Sequence, residues 1–171
     1  MGTNMLLSQE GVLRVEMEDD IINIEKIKKT LEKLNIIKIN LNRIDELRNE
    51  YMRTADVQSE QMRKREITDL TNEISIKINQ ASDALKSLKE DNIKKAEKFN
   101  VKVSTNTELR MENTIIIVFQ AQLYKLIKKS SFLQKRVKDS YEEKMRRQLA
   151  IHAPNIEENQ MKELMSQPEV K

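Results

Sequence analysis

From Ile21 onward the apolar residues of the chain recur at intervals of three and four: Ile21, Ile24, Ile27, Leu31, Leu34, Ile37, Leu41, Ile44, Leu47 and Tyr51. Such spacing puts them on one face of an α-helix, which turns once every ~3.6 residues. The mean interval is shorter than one full turn, so the stripe drifts in the sense that favours a left-handed supercoil. The pattern predicts a first helix over about residues 18–53. Thr54-Ala55-Asp56-Val57-Gln58-Ser59 then supplies turn formers and a fresh N-cap. A second stripe, Ile67, Leu70, Ile74, Ile78, Ala81, Leu85 and Leu88, predicts a helix over about 60–97, and Phe99 to Ser104 interrupts it. Thr105-Asn106-Thr107-Glu108 has the spacing of a capping box, in which a hydroxyl and a carboxylate satisfy two free amides. The third helix, about 106–151, carries Leu109, Ile116, Phe119, Leu123, Leu126, Leu133, Val137, Tyr141, Met145 and Leu149. Pro154 stops it, because the ring removes a donor and clashes with the preceding turn. Asn155-Ile156-Glu157-Glu158 reads as the cap of a short further helix to about Met165.

A helix of this kind buries its apolar stripe only against others, and three long helices with short joints imply an all-α, antiparallel up-down-up three-helix bundle over residues 18–151. Residues 1–17 lack sustained periodicity and read as a flexible acidic tail. Residues 152–171 read as the start of a linker.

Composition narrows the class further. Charged residues make up 35% of the chain and hydrophobic ones 38%, with two glycines, two prolines, no cysteine and no tryptophan. Gly2 and Gly11 are the two glycines, so residues 12–171 contain none. Multi-stranded folds and phosphate loops need backbone positions that favour glycine, and they are excluded on that ground. The absence of cysteine removes disulfides and thiolate metal sites and suits a cytosolic or cytosol-facing protein. No apolar run approaches the ~18 residues of a membrane span. Met1-Gly2-Thr3-Asn4-Met5-Leu6 begins like a myristoylation signal, but Leu6 stands where serine or threonine is required.

The net charge of +3 hides segmentation. Residues 122–149 hold nine basic and three acidic side chains, among them Lys125, Lys128, Lys129, Lys135, Arg136, Lys138, Arg146 and Arg147. Nucleic-acid binders of single strands place aromatic platforms between such charges; Tyr124, Phe132 and Tyr141 lie in this stretch, of which Tyr141 belongs to the core stripe. A membrane-surface helix needs a free apolar face, which the bundle consumes. The plain reading is a solvated face, with a protein-docking surface as the functional one. Catalysis finds no foothold: His152 is the one histidine and stands in polar company at a helix end, and no mixed set of histidine, cysteine and carboxylate has metal-ligand spacing. The chain is expected to be neither an enzyme nor a carrier of a cofactor, and no nucleic acid is expected among its partners.

Behind the core stripe of the third helix lie Met111, Val118 and Phe132, at multiples of seven, with Lys125 in the remaining slot. Met62 and Ile76 fall behind the core of the second helix. Scattered exposed hydrophobes are ordinary, but a seven-residue spacing suits a groove for a fourth helix. The six residues are therefore a candidate partner groove between the second and third helices.

The third helix resembles that of the Habc domain of syntaxins, the Qa class of SNARE proteins. That helix starts L-R-I-R-x-T and ends R-I-x-R-Q-L. This chain has Leu109-Arg110-Met111-Glu112-Asn113-Thr114 and Lys144-Met145-Arg146-Arg147-Gln148-Leu149 at the family's separation, with Gln134 matching a family glutamine between them. Pro154 and Glu157-Glu158 are similar to the linker of the plasma-membrane syntaxins. The first two helices match in length, heptad pattern and order only. Ser130 and Val137 stand where the family often has aromatics, Leu123 where it has phenylalanine, and the N-terminal stretch lacks the short basic peptide that engages SM-family proteins.

The resemblance implies a regulatory N-terminal domain acting in vesicle docking and membrane fusion. Such a domain folds back on the protein's own SNARE motif, delays assembly with partner SNAREs and is recognised by SM-family proteins. The SNARE motif and membrane anchor are not in this sequence, so the chain is expected to be part of a longer protein held at the cytosolic face of a membrane, foremost the plasma membrane. A BAR-like or spectrin-like helical scaffold binding membranes or other proteins is the alternative. BAR domains are longer, and spectrin repeats usually carry tryptophan.

Overall fold

The structure, a computed structural model, describes the backbone of residues 3–154 and 156–166, and side chains from Asn23 onward apart from residue 155. The fold is all-α. Helices α1 (Thr3–Arg53), α2 (Val57–Lys98) and α3 (Thr107–His152) are long, and α4 (Glu158–Ser166) is short. The expected three-helix bundle and the short fourth helix are both present.

The capping chemistry explains where the helices start and stop. Asp56 caps α2: its carboxylate accepts from the Ser59 amide at 2.9 Å and the Ser59 hydroxyl at 2.8 Å. That places the start of α2 three residues ahead of the expected one. At the other end Asn100 adopts φ 51°. The Val101 amide reaches back to the Ala96 carbonyl and the Asn100 amide to that of Glu97, both at 3.0 Å. This is a Schellman closure with asparagine in the left-handed position glycine usually takes. Asn106, rather than Thr105, caps α3, its side-chain oxygen accepting from the Leu109 amide at 3.1 Å. Thr105 turns away and donates to the Lys102 carbonyl.

Two expectations are corrected in α1. The helix reaches back to Thr3, through the stretch read as a tail. Residues 3–17 have no proline and a single glycine, Gly11, so their backbone accepts a helix even without an apolar stripe. The buried line is also shifted at the N-terminal end. Asn23, Thr30, Ile37, Ile44 and Tyr51, spaced by seven, are buried, whereas Ile24 and Leu31 are exposed. Thr30 is 0% exposed and tolerates it by donating its hydroxyl to the Lys26 carbonyl at 2.8 Å. The side chain of Ile21 lies outside the described residues.

The chain divides into two compact units. The first comprises residues 1–39 and 73–127, the second residues 40–72 and 128–171. Each takes one segment from each long helix. In the first, Leu34, Ile37, Ile74, Ala81, Leu85 and Leu123 are core residues. In the second, Leu41, Ile44, Leu47, Ile67, Leu133 and Val137 play that part, and Leu70 is half-buried. The polar pairs of the second unit fix the helix directions. From α1 to α3 the partners advance together, as Asn42–Lys129, Arg48–Ser140 and Tyr51–Lys144. From α1 to α2 they run in opposite order, as Arg43–Glu66 and Glu50–Arg63. The order is up-down-up.

Candidate docking surface

On α3 the buried residues occupy two heptad lines. One runs Leu109, Ile116, Leu123, Ser130, Val137, Lys144; the other includes Phe119, Leu133 and Ser140. Met111, Val118 and Lys125, two residues past the first line, are left outside, and all three are exposed in the first unit. Ile76 of α2 is exposed in the same unit. Met62 and Phe132 belong to the second unit and are exposed there, with the Arg136 guanidinium 5.8 Å from the Phe132 ring centre.

Of the six residues, Lys125 lines a described cleft. It lies between α1 and α3, not between α2 and α3, and encloses about 260 Å³. Its apolar lining is Leu31, Leu34 and Leu126, and its polar edge is Asn35 and Lys38 from α1 with Gln122 and Lys125 from α3. Gln122 and Lys125 are three apart, hence neighbours on the helix surface. The line through Lys125 therefore flanks the α1 side of α3. An apolar stripe says which face is buried but not which neighbour stands to its left and which to its right; the handedness of the bundle decides that.

Two buried polar clusters escaped the sequence reading. In the first unit the Glu112 carboxylate accepts from Asn23 at 3.5 Å, Asn92 at 3.1 Å and Lys95 at 3.2 Å. Asn92 is buried and also donates to the Leu109 carbonyl at 3.1 Å. One carboxylate thus joins all three helices. In the second unit Lys144, 7% exposed, donates to the carbonyls of Tyr51 at 2.6 Å and Thr54 at 2.5 Å and pairs with Glu60 at 2.5 Å. Its ammonium also sits 4.4 Å from the Tyr51 ring centre. It closes the C-terminal end of α1, where free carbonyls and the helix dipole both favour a cation. Both residues stand in the motifs that resemble the syntaxins, Glu112 in the opening one and Lys144 in the closing one. The signal available in the sequence was a charged residue at a core heptad position.

Beside this clamp, Tyr141 meets Tyr51 edge-on with ring centres 4.8 Å apart. Its hydroxyl is buried with no hydrogen-bond partner among the described residues, and burial pushes its pKa up to about 12. His152, the last residue of α3, is exposed. Among the described residues no group of three histidines, cysteines or carboxylates is placed to hold a metal ion, and no helix is long and apolar enough to cross a membrane.

No protein-family model matches the chain, and no curated protein matches it. Fold and surface together define a helical bundle whose long third helix leaves large apolar side chains outside the core.

Proposed function

We propose that the chain is a protein-docking domain of the syntaxin N-terminal type, which regulates membrane fusion by receiving a partner helix or an SM-family protein on the outward side of α3. The observation that carries this reading is the excess of apolar side chains on α3 in the first unit. Its buried lines are filled, and Met111, Ile117, Val118 and Ile127 are still exposed. A helix with surplus apolar surface at heptad-compatible positions is suited to coiled-coil-like association. The order of the three helices and the two motifs of α3 support the more specific syntaxin reading. In such a protein the domain holds the SNARE helix for part of the time, and assembly slows by the fraction so held.

The test is direct binding. The chain is titrated against a labelled plasma-membrane syntaxin SNARE helix and, separately, against an SM-family protein. Saturable binding to either, weakened by Met111→Glu with Val118→Glu, supports the proposal. Failure to bind both, with sedimentation on anionic liposomes instead, overturns it in favour of a membrane scaffold.

A further inference from the structure

The cleft between α1 and α3 has a lining that the docking reading does not explain. Leu34 is buried at its base, and Leu31, an exposed leucine on a helix with a complete core line, opens into it. Lys38 borders it from α1 and Lys125 from α3, and neither makes a hydrogen bond or ion pair among the described residues. Lys26, Lys29 and Lys95 of the same unit are paired with Asp91, Glu25 and Glu112, whereas Lys33, Lys77, Lys86, Lys89 and Lys94 are solvated like Lys38 and Lys125; what distinguishes the latter two is that both border an apolar cleft. An apolar trough with an unneutralised cation on each bank calls for an apolar ligand that carries anions on both flanks.

The chemistry of the walls selects the kind of anion. Mid-helix amides are already used within the helices, so there is no cradle of free N–H groups for a phosphate. A lysine is a single mobile point charge suited to meeting a carboxylate on an equally flexible side chain. Asn35 and Gln122 add neutral donors and acceptors at the same edge. A trough between two helices accepts a third helix lengthwise, its apolar ridge inward. Val118 and Met111 lie one and two heptads before Lys125 on the same side of α3, so the apolar surface continues along the seam within this unit.

We infer that the α1–α3 cleft seats an acidic amphipathic helix of a partner protein, a large aliphatic side chain entering between Leu31 and Leu126 while carboxylates on its two flanks meet Lys38 and Lys125. The inference rests on the docking reading for the class of partner, a helix. It adds the partner's charge and the seam on which it lies.

The experiment uses the whole chain and two designed peptides of about four heptads, with identical leucine ridges but flanks of glutamate or of lysine. Affinities are read by fluorescence anisotropy at two salt concentrations. The acidic peptide binds at least about ten-fold more tightly than the basic one, and less tightly in high salt. Lys38→Glu with Lys125→Glu reverses that preference, and Leu31→Asp weakens both peptides. Lys86→Glu with Lys89→Glu, on α2 and identical in net charge change, leaves it intact. Helicity at 222 nm checks that the variants fold, and all the altered side chains are exposed. Equal loss from the two double reversals would mean that net charge alone attracts the peptide, and the inference would fall. It would also fall if phosphatidylserine vesicles, but not the acidic peptide, bound in a manner dependent on Lys38 and Lys125. Loss of peptide binding alongside intact SM-family binding rejects the cleft and leaves the docking function standing. The opposite pair of results rejects the syntaxin reading and keeps the cleft.

Discussion

Lys144 shows how one side chain can be both in the core and charged. Its aliphatic stem occupies a heptad slot shared with Leu123 and Val137, while its ammonium reaches two carbonyls and the Glu60 carboxylate. Breaking such a buried set leaves an unpaired carboxylate and uncapped carbonyls, so Lys144→Met is expected to lower unfolding stability by about 3–5 kcal/mol. Replacing Glu60 as well should recover part of the loss, and urea unfolding of the two single variants and the double variant measures the coupling. Tyr141 is the opposite case, a buried hydroxyl with no hydrogen-bond partner among the described residues. Tyr141→Phe removes that unsatisfied group at constant shape, so stability is expected to stay level or rise. The ionised phenolate is disfavoured in the fold. The stability tied to the neutral ring is therefore full below the ordinary tyrosine pKa of about 10 and is lost as pH rises through the folded value of about 12. Absorbance titration near 295 nm, with Tyr141→Phe as reference, reads this ionisation.

At the scale of elements, the helix ends are set by single side chains. The amide and hydroxyl of Ser59 hold the Asp56 carboxyl below its ordinary pKa. The unfolded chain binds that proton more readily, so the cap's contribution is present above the ordinary aspartate range and fades as pH falls through the lowered folded value. Asp56→Asn keeps a capping oxygen without the titration. Thermal melts at pH 7 and pH 3 should therefore differ less for Asp56→Asn than for the parent chain. Asn100→Gly should be neutral or stabilising, because its left-handed backbone costs glycine nothing. The same local logic explains the shifted line of α1. Intervals of three and four can be read along two adjacent lines, and side-chain hydrogen bonds made Thr30 and Asn23 acceptable inside.

For the molecule as a whole, the division between core and outer surface of α3 is the property that the docking proposals need. Leu123 is 6% exposed and Phe132 62%. Leu123→Ala is expected to cost about 2–5 kcal/mol by leaving a cavity. Phe132→Ala should cost under about 1 kcal/mol, since it forfeits only an exposed contact with Arg136. Equal losses in urea unfolding would reverse the assignment of faces. Glu112→Ala should destabilise by about 1–3 kcal/mol, because it deprives Asn23, Asn92 and Lys95 of a shared acceptor.

Helix number, order and approximate limits, apart from the start of α1, were written in the chain itself, since they follow from a periodicity of three and four, the near absence of glycine, and capping residues between the stripes. The outward position of Met111, Val118, Lys125 and Phe132 followed from the same arithmetic, because a filled stripe leaves its opposite face to water. What the periodicity could not contain was the side on which each neighbour packs. A stripe is the same whether α1 stands to its left or its right, so the cleft beside Lys125 and its lining by Leu31 and Lys38 emerged only when the helices were placed. The polar interior was hidden for a related reason. A lysine or glutamate at a core position is a defect on a helical wheel, and becomes a clamp only when Tyr51, Thr54 and Glu60, or Asn23, Asn92 and Lys95, are brought to it by packing between helices. Local periodicity determined the elements. The partners of buried polar groups and the walls of the cleft belong to residues distant in sequence, and tertiary structure alone decided them.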